Sequence, residues 1–342
     1  MNITHIGIGY VGLVSAVMMS HLGHHVTCID TDQAKILALK DGVLPIYEPG
    51  LDKYLLSSID SGRLKFIDKY DEQLSNSAAV FITVGTPPLP SGEADLSYIF
   101  AVIDNLKQFI SKECIIVVKS TVPPGTSNKL AKYLATSNPE VQVASNPEFL
   151  REGSAVEDFL NPDRIIIGSN ESKTTIILEE IYAPLIAKNI PFVRTNVVTA
   201  ELIKYASNAF LATKIAVINE MANVCEKIDD SIEQLSYGMG VDSRIGEKFL
   251  QVSPGFGGSC FPKDILALSL LTKKYGSECQ VIDAVIRANT RRPSDMVDKI
   301  ISVFDTSLSN KTLAVLGLTF KAGTDDLRCS PALEIIKLLK QK

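Results

Sequence analysis

Residues 3–30, ITHIGIGYVGLVSAVMMSHLGHHVTCID, constrain the fold more than any other segment. An apolar run turns through Gly7, Gly9 and Gly12, enters an apolar helix, and returns through a second apolar run to Asp30. This reads as a complete strand–helix–strand unit. Glycines in the G-x-G-x-x-G spacing allow a tight turn, a close approach of backbone to a pyrophosphate, and close helix–strand packing. The helix start adds free N–H groups and the positive end of a dipole. The loop from Gly7 to Gly12, including Tyr10, is therefore a candidate cofactor cradle. Asp30 ends the second strand, where its carboxylate could accept a hydrogen bond from a ribose 2′-hydroxyl. An aspartate repels a 2′-phosphate, and the following TDQAK has no arginine to accept one, so NAD is favoured over NADP, with Lys35 tempering the preference.

Further apolar runs at 79–84, 114–120, 141–145 and 164–169 predict a parallel sheet covered on both faces. Three of them end in GTPPLPSG, STVPPGT and NPEFLREG, and ligands in open α/β sheets sit beyond the carboxyl ends of strands. Thr86, Thr121 and Glu148 are the polar residues these loops would offer, although each also fits an ordinary turn or cap. NPEFLREG supplies Glu148, Arg151 and Glu152, and on a helix the two glutamates would share a face.

Residues 196–228 contain neither proline nor glycine and predict a helix of about nine turns. Lys204 and Asn208 lie one turn apart on it, where an ammonium and an amide could polarise an alcohol or carbonyl oxygen; a lysine snorkelling to water is the bland alternative. Further on, Arg244 and Lys248 precede the stretch GFGGSCFPKD, residues 255–264. The two cations suit a phosphate, and Gly255, Gly257 and Gly258 would let backbone amides approach a ligand. Pro262 reads as the first residue of a helix, with Cys260 just before its N-terminus, a position that lowers a thiol pKa. Lys263 could add to that effect, and Asp264 lies four residues on.

A net charge of −5 and a pI near 5.5 argue against a nucleic-acid protein. No apolar run reaches bilayer length and the N-terminus lacks the basic flank of a secretory signal, so a soluble, cytoplasmic protein is expected, with no membrane partner. The six cysteines show neither CxxC pairs nor metal-ligand spacing, which points to free thiols and no metal. All four histidines fall in the first 25 residues, leaving acid–base chemistry elsewhere to Lys, Asp, Glu or Cys.

In order along nearly the whole chain, GIGYVGL, VGTPP, STVPPGT, NPEFLREGSA, ELIKYASNAF, RIGEKFL, GFGGSCFPKD and GLTFKAGTDDLR resemble the UDP-glucose/GDP-mannose dehydrogenase family. The resemblance implies an α/β protein with a Rossmann-like doubly wound parallel sheet binding NAD (1–195), a central helical dimerisation domain carrying the cysteine (196–300), and the start of a UDP-binding α/β domain (301–342). It further implies a homodimer that oxidises the sugar C6 alcohol of UDP-glucose twice, with two NAD, to a carboxylate. Cys260 would trap the aldehyde as a thiohemiacetal and carry a thioester. Lys204 and Asn208 would stabilise the oxyanion, Asp264 would assist proton transfer, and Glu148 with Thr121 would activate water. Substrate contacts carried over are Glu148, Phe149, Leu150, Arg151, Glu152, Lys204, Asn208, Arg244, Phe249, Leu250, Gln251, Val252, Ser253, Gly257 and Lys321. For NAD they are Val11, Asp30, Lys35, Thr86, Thr121, Glu152, Lys263 and Arg328.

Residues 310–342 start a second strand–turn–helix pattern where family members continue through more strands. The resemblance therefore implies a shortened nucleotide-binding domain, with exposed apolar surface on TLAVLGL and ALEIIKLL. Three alternatives remain at this point: a single-step β-hydroxyacid dehydrogenase, which would not need Cys260; a dehydrogenase for UDP-N-acetylmannosamine or GDP-mannose; and a non-catalytic NAD-binding protein.

Overall fold

The computed structural model describes residues 1–304 and 308–342, which fall into two compact units, Met1–Lys204 and Tyr205–Lys342. The first unit is built on strands β1 (Asn2–Ile6), β2 (His25–Ile29), β3 (Leu64–Ile67), β4 (Ala79–Ile82), β5 (Ile115–Val118), β6 (Gln142–Ser145), β7 (Ile165–Gly168) and β8 (Phe192–Thr195). They form one sheet in the order β3-β2-β1-β4-β5-β6-β7-β8. Strands such as AVFI and IIVV are buried along their whole length because both sheet faces are covered. Alternation then divides their side chains: Phe81 and Val117 join one core with Leu13 and Leu178, while Val80, Ile82, Ile116 and Val118 join the other with Ile103 and Leu130.

The first unit's helices are α1 (Tyr10–His21), α2 (Gln33–Lys40), α3 (Leu51–Asp60), α4 (Ser97–Leu106), α5 (Thr126–Leu134), α6 (Ala155–Leu160) and α7 (Ser172–Ile186). Strands β1 to β6 are mutually parallel, as expected, but β7 meets β6 antiparallel through the single pair Ser145 and Gly168, and β8 runs parallel to β7. The expected parallel sheet is thus found, with one antiparallel junction at β7. A parallel return needs a crossover that carries the chain back along the sheet, and α6, at about 9 Å, is too short to do so. The short β3 and β8, with exposed charged residues, gave no apolar run to read.

Helix α8 (Val197–Ile228) has 32 residues, a length of about 48 Å, and carries the chain from the first unit into the second. The second unit adds α9 (Ile232–Gly240), α10 (Phe261–Lys274), α11 (Gln280–Ser302) and α12 (Pro331–Leu339), around a small core that includes Ala212, Ala216, Phe256, Ile265 and Val285. The strand expected within TLAVLGL does not form: residues 311–318 are irregular, and Leu316 is 95% exposed. Strand backbone needs a neighbouring edge to pair with, and no described segment of this unit supplies one.

Candidate active site

In the first unit, Gly7 adopts φ +88°, which turns β1 into α1. A Cβ on Gly12 would lie 2.0 Å from the Gly7 carbonyl oxygen, so only glycine lets α1 pack this close. Gly9 differs from both, because it caps α1 and nothing stands within 4 Å of where its Cβ would be. That open cradle at a helix N-terminus fits a pyrophosphate. Asp30 closes the turn by accepting from Ile8 N–H at 2.7 Å, Asp32 N–H at 3.0 Å and Lys35 Nζ at 3.0 Å. Its burial opposes ionisation, but these three donors outweigh it and hold the carboxyl below the usual range. Lys35 is thereby committed to Asp30.

Tyr10 points its hydroxyl at Glu48, and the Gly153 N–H donates to both, at 2.9 Å and 2.7 Å. Burial, then the bond to Glu48, pushes the Tyr10 phenol well above its ordinary value. The cradle is thus tied to the segment 146–154, which is not helical. Asn-Pro at its start and Gly153 at φ +82° keep it a loop, so the expected one-face pairing of Glu148 and Glu152 is not made. Arg151 is exposed and bonded to Asp158, with its Nη2 2.5 Å from Oδ1.

Glu148, in contrast, is buried, and its Oε1 meets Lys204 Nζ at 3.0 Å while Oε2 accepts from Leu150 N–H at 2.7 Å. Lys204 also stands 5.2 Å from the centre of the Phe149 ring, which carries Arg164 at 4.0 Å. Thr86 is buried and donates to the Thr121 carbonyl at 2.8 Å, tying the loops after β4 and β5 together. One turn before Lys204, Glu201 accepts from Gly125 N–H at 2.6 Å and Ser127 N–H at 2.7 Å, which fixes the start of α8 against the start of α5.

In the second unit Cys260 is itself the N-cap of α10, and Pro262 is the second helical residue rather than the first. Cys260 is half-buried, with Ser259 Oγ 3.5 Å from its sulfur. Asp264, one turn on and 1% exposed, accepts from Asn208 Nδ2 at 2.7 Å and from Lys263 Nζ at 2.5 Å. Lys263 is thus directed at Asp264. Two of the glycines before Cys260 are close-packed against residues of the same unit. A Cβ on Gly257 would stand 2.1 Å from the Cys329 carbonyl oxygen, and Gly258 donates its N–H to the Arg328 carbonyl at 2.9 Å. Phe256 N–H likewise donates to Asn289 Oδ1 at 2.8 Å, so the segment packs against its own chain.

Arg244 is exposed and paired with Asp242, Arg328 is exposed and paired with Asp326, and Lys321 lies over the Phe320 ring. Of the run 249–253, Phe249 takes φ +67° and Leu250 is buried. Gln251 and Val252 are exposed, and Ser253 N–H donates to Asn219 Oδ1 at 2.8 Å.

Residues 1–186 match the NAD binding domain of the UDP-glucose/GDP-mannose dehydrogenase family, 198–291 its central domain and 314–342 its UDP binding domain. The chain belongs to that family. Its relatives include the UDP-glucose 6-dehydrogenase of Rickettsia felis, 58% identical over 342 residues, all of this chain and 76% of that protein. A UDP-glucose dehydrogenase structure from Pyrobaculum islandicum superposes with a TM-score of 0.94 at 40% identity, covering 99% of this chain and 79% of that one. A UDP-D-ManNAc dehydrogenase from Pyrococcus horikoshii gives 0.89 at 28% identity, covering 100% and 81%. As a member of this family the chain is an NAD-dependent dehydrogenase, and the open cradle at Gly9 with Asp30 fits that cofactor. No helix among the described residues is long and apolar enough to cross a membrane.

Sequence reasoning missed Lys119, Asn146, Tyr182, Glu48 and Glu201, all within the first unit and all buried. Only Lys119 carried a legible signal, a lysine closing a wholly apolar strand in CIIVVKS. The others acquire their partners through contacts distant in sequence.

Proposed function

We propose that this dehydrogenase oxidises UDP-glucose to UDP-glucuronate in two steps through a thioester on Cys260. Carrying this reading is the position of Cys260 as the N-cap of α10, one turn before the buried Asp264. A two-electron dehydrogenase has no use for a thiol there. The choice of sugar rests on identity, which is 58% to a protein named for UDP-glucose against 28% to one named for UDP-D-ManNAc.

Gly7, Gly9, Tyr10, Val11, Gly12 and Asp30 would hold NAD, which accepts a hydride from the sugar carbon in each oxidation. Lys204 and Asn208 stabilise the alkoxide formed as the C6 hydroxyl gives up its proton, and Asp264 passes that proton on through water. The Cys260 thiolate then adds to the aldehyde carbon, forming a C–S bond and an oxyanion held by the same two donors. Oxidation of this thiohemiacetal leaves a thioester. Glu148, with Thr121, takes a proton from water, which attacks the thioester carbon; the C–S bond breaks, the thiolate returns and the carboxylate leaves. One sugar, two NAD and one water thus yield one carboxylate, two NADH and three protons. With UDP-glucose limiting and NAD in excess, two NADH per sugar are expected. One per sugar, or turnover of UDP-N-acetylmannosamine alone, would replace this reading.

The same proposal includes a homodimer. Phe210, Val217 and Val224 recur at seven-residue intervals on α8, 67%, 40% and 48% exposed, and Ile228 extends the stripe at 64%. Seven-residue apolar spacing suits a helix that packs against another helix. Light scattering should give twice the chain mass of 37.2 kDa, and a single-chain mass at micromolar concentration would refute it.

A further inference from the structure

Beneath the loops that carry Thr121 and Glu148 lies a second buried lysine for which the proposed reaction has no use. Lys119 follows β5 directly, two residues before Thr121, and is 5% exposed. Its Nζ donates to Asn146 Oδ1 at 3.1 Å and lies 3.5 Å from the Tyr182 hydroxyl. Asn146 sits two residues before Glu148. It receives a second bond at Oδ1 from Tyr182 at 2.6 Å and donates Nδ2 to the Ile166 carbonyl at 3.0 Å. Asn146 is therefore fixed by three elements, the end of β5, α7 and β7, and the Pro147 that follows leaves little slack before Glu148.

A buried ammonium with only neutral hydrogen-bond partners is costly where a methionine would pack. The charges facing it are Glu148 from the loop after β6 and Lys204 from α8, while Tyr182 from α7 and His5 from β1 complete the titratable groups around it. Burial pushes Lys119 down to about 8, Lys204 adding to the shift and Glu148 opposing it; burial, then Lys119, holds His5 near 3, so that ring is neutral.

We propose that Lys119 is a positioning residue for the water-activating step: through Asn146 it locks the loop of Glu148 to the loop of Thr121 and supplies a second positive charge to the Glu148–Lys204 pair. This rests on the reaction proposed above. Removing the charge makes proton loss from the cluster harder, because a nearby cation favours deprotonated neighbours.

The test compares the native chain with Lys119→Met and Tyr182→Phe. Lys119→Met should lose about 10- to 100-fold in kcat, at or below the low end of general acid–base assistance because Glu148 itself remains, with the KM for NAD within about two-fold. Its acid limb of kcat against pH should move to higher pH, and acid-quenched enzyme should carry the sugar-nucleotide acyl mass. Tyr182→Phe, which keeps the ammonium and removes one bond to Asn146, should show a smaller loss of kcat with the same accumulation; it serves alone if Lys119→Met does not fold. Native kcat and an unmoved pH profile in a folded Lys119→Met, or native kcat in Tyr182→Phe should Lys119→Met not fold, overturn the role while leaving the reaction intact. Failure of the native chain to oxidise UDP-glucose removes the reaction and the role together.

Discussion

Cys260→Ser is expected to lower UDP-glucuronate formation from UDP-glucose by about 1000-fold or more, as loss of a nucleophile does in other covalent enzymes. The first oxidation does not need the thiol, so any NADH that still forms should not exceed one per sugar. A serine hydroxyl has almost no anion near neutral pH, whereas a thiol at a helix N-terminus is stabilised as the thiolate. Cys260 holds that position as the N-cap of α10. The exchange is nearly isosteric at a half-buried position, so the melting temperature should stay within about a degree. Counting NADH against sugar consumed, with intact-mass detection of the acyl enzyme, decides the matter. Two NADH per sugar from a folded serine variant would remove the covalent mechanism.

Lys204→Ala carries the second large effect, this time on stability as well as rate. Its ammonium and Glu148 form a pair at 3.0 Å with side chains 5% and 4% exposed. Removing one member of such a pair strands the other charge in the interior, at a cost of about 3–5 kcal/mol. The oxidation rate should also fall by about 100- to 1000-fold through loss of an oxyanion donor. Denaturant titration reads the first quantity and initial rates the second. The double variant Lys204→Met with Glu148→Gln separates them, since it removes both charges: much of the stability should return and none of the activity. A single variant with native stability would show that water reaches Glu148 and that the pair is not a desolvated one.

The strand–helix–strand unit at residues 3–30 was legible because its determinants are local. Gly7, Gly9 and Gly12 act within one short turn, and Asp30 closes on that turn across the one intervening helix, so the pattern lies within a single strand–helix–strand segment. Strands β4 to β7 and helix α8 were legible for a related reason, as their apolar patterns belong to each element separately. Pairing is a relation between elements, so neither the reversal at β7 nor the unformed strand at 311–318 is written in either segment alone.

The same division runs through the candidate site. Sequence singled out Cys260, Lys204, Asn208, Asp264 and Glu148 as candidates, through their local contexts and the family resemblance together. Their partners were decided by tertiary structure: Glu148 on Lys204, Asn208 on Asp264, and Lys119 with Tyr182 on Asn146. Tertiary structure also turned the glycines of GFGGSCFPKD inward against Phe320 and Cys329. Sequence by itself determined which reactive side chains each segment carries, since side-chain identity and helix or turn propensity are local properties. Which charges are buried and what compensates them was left to the fold, because desolvation depends on every element that closes over a group and not on its neighbours in the chain.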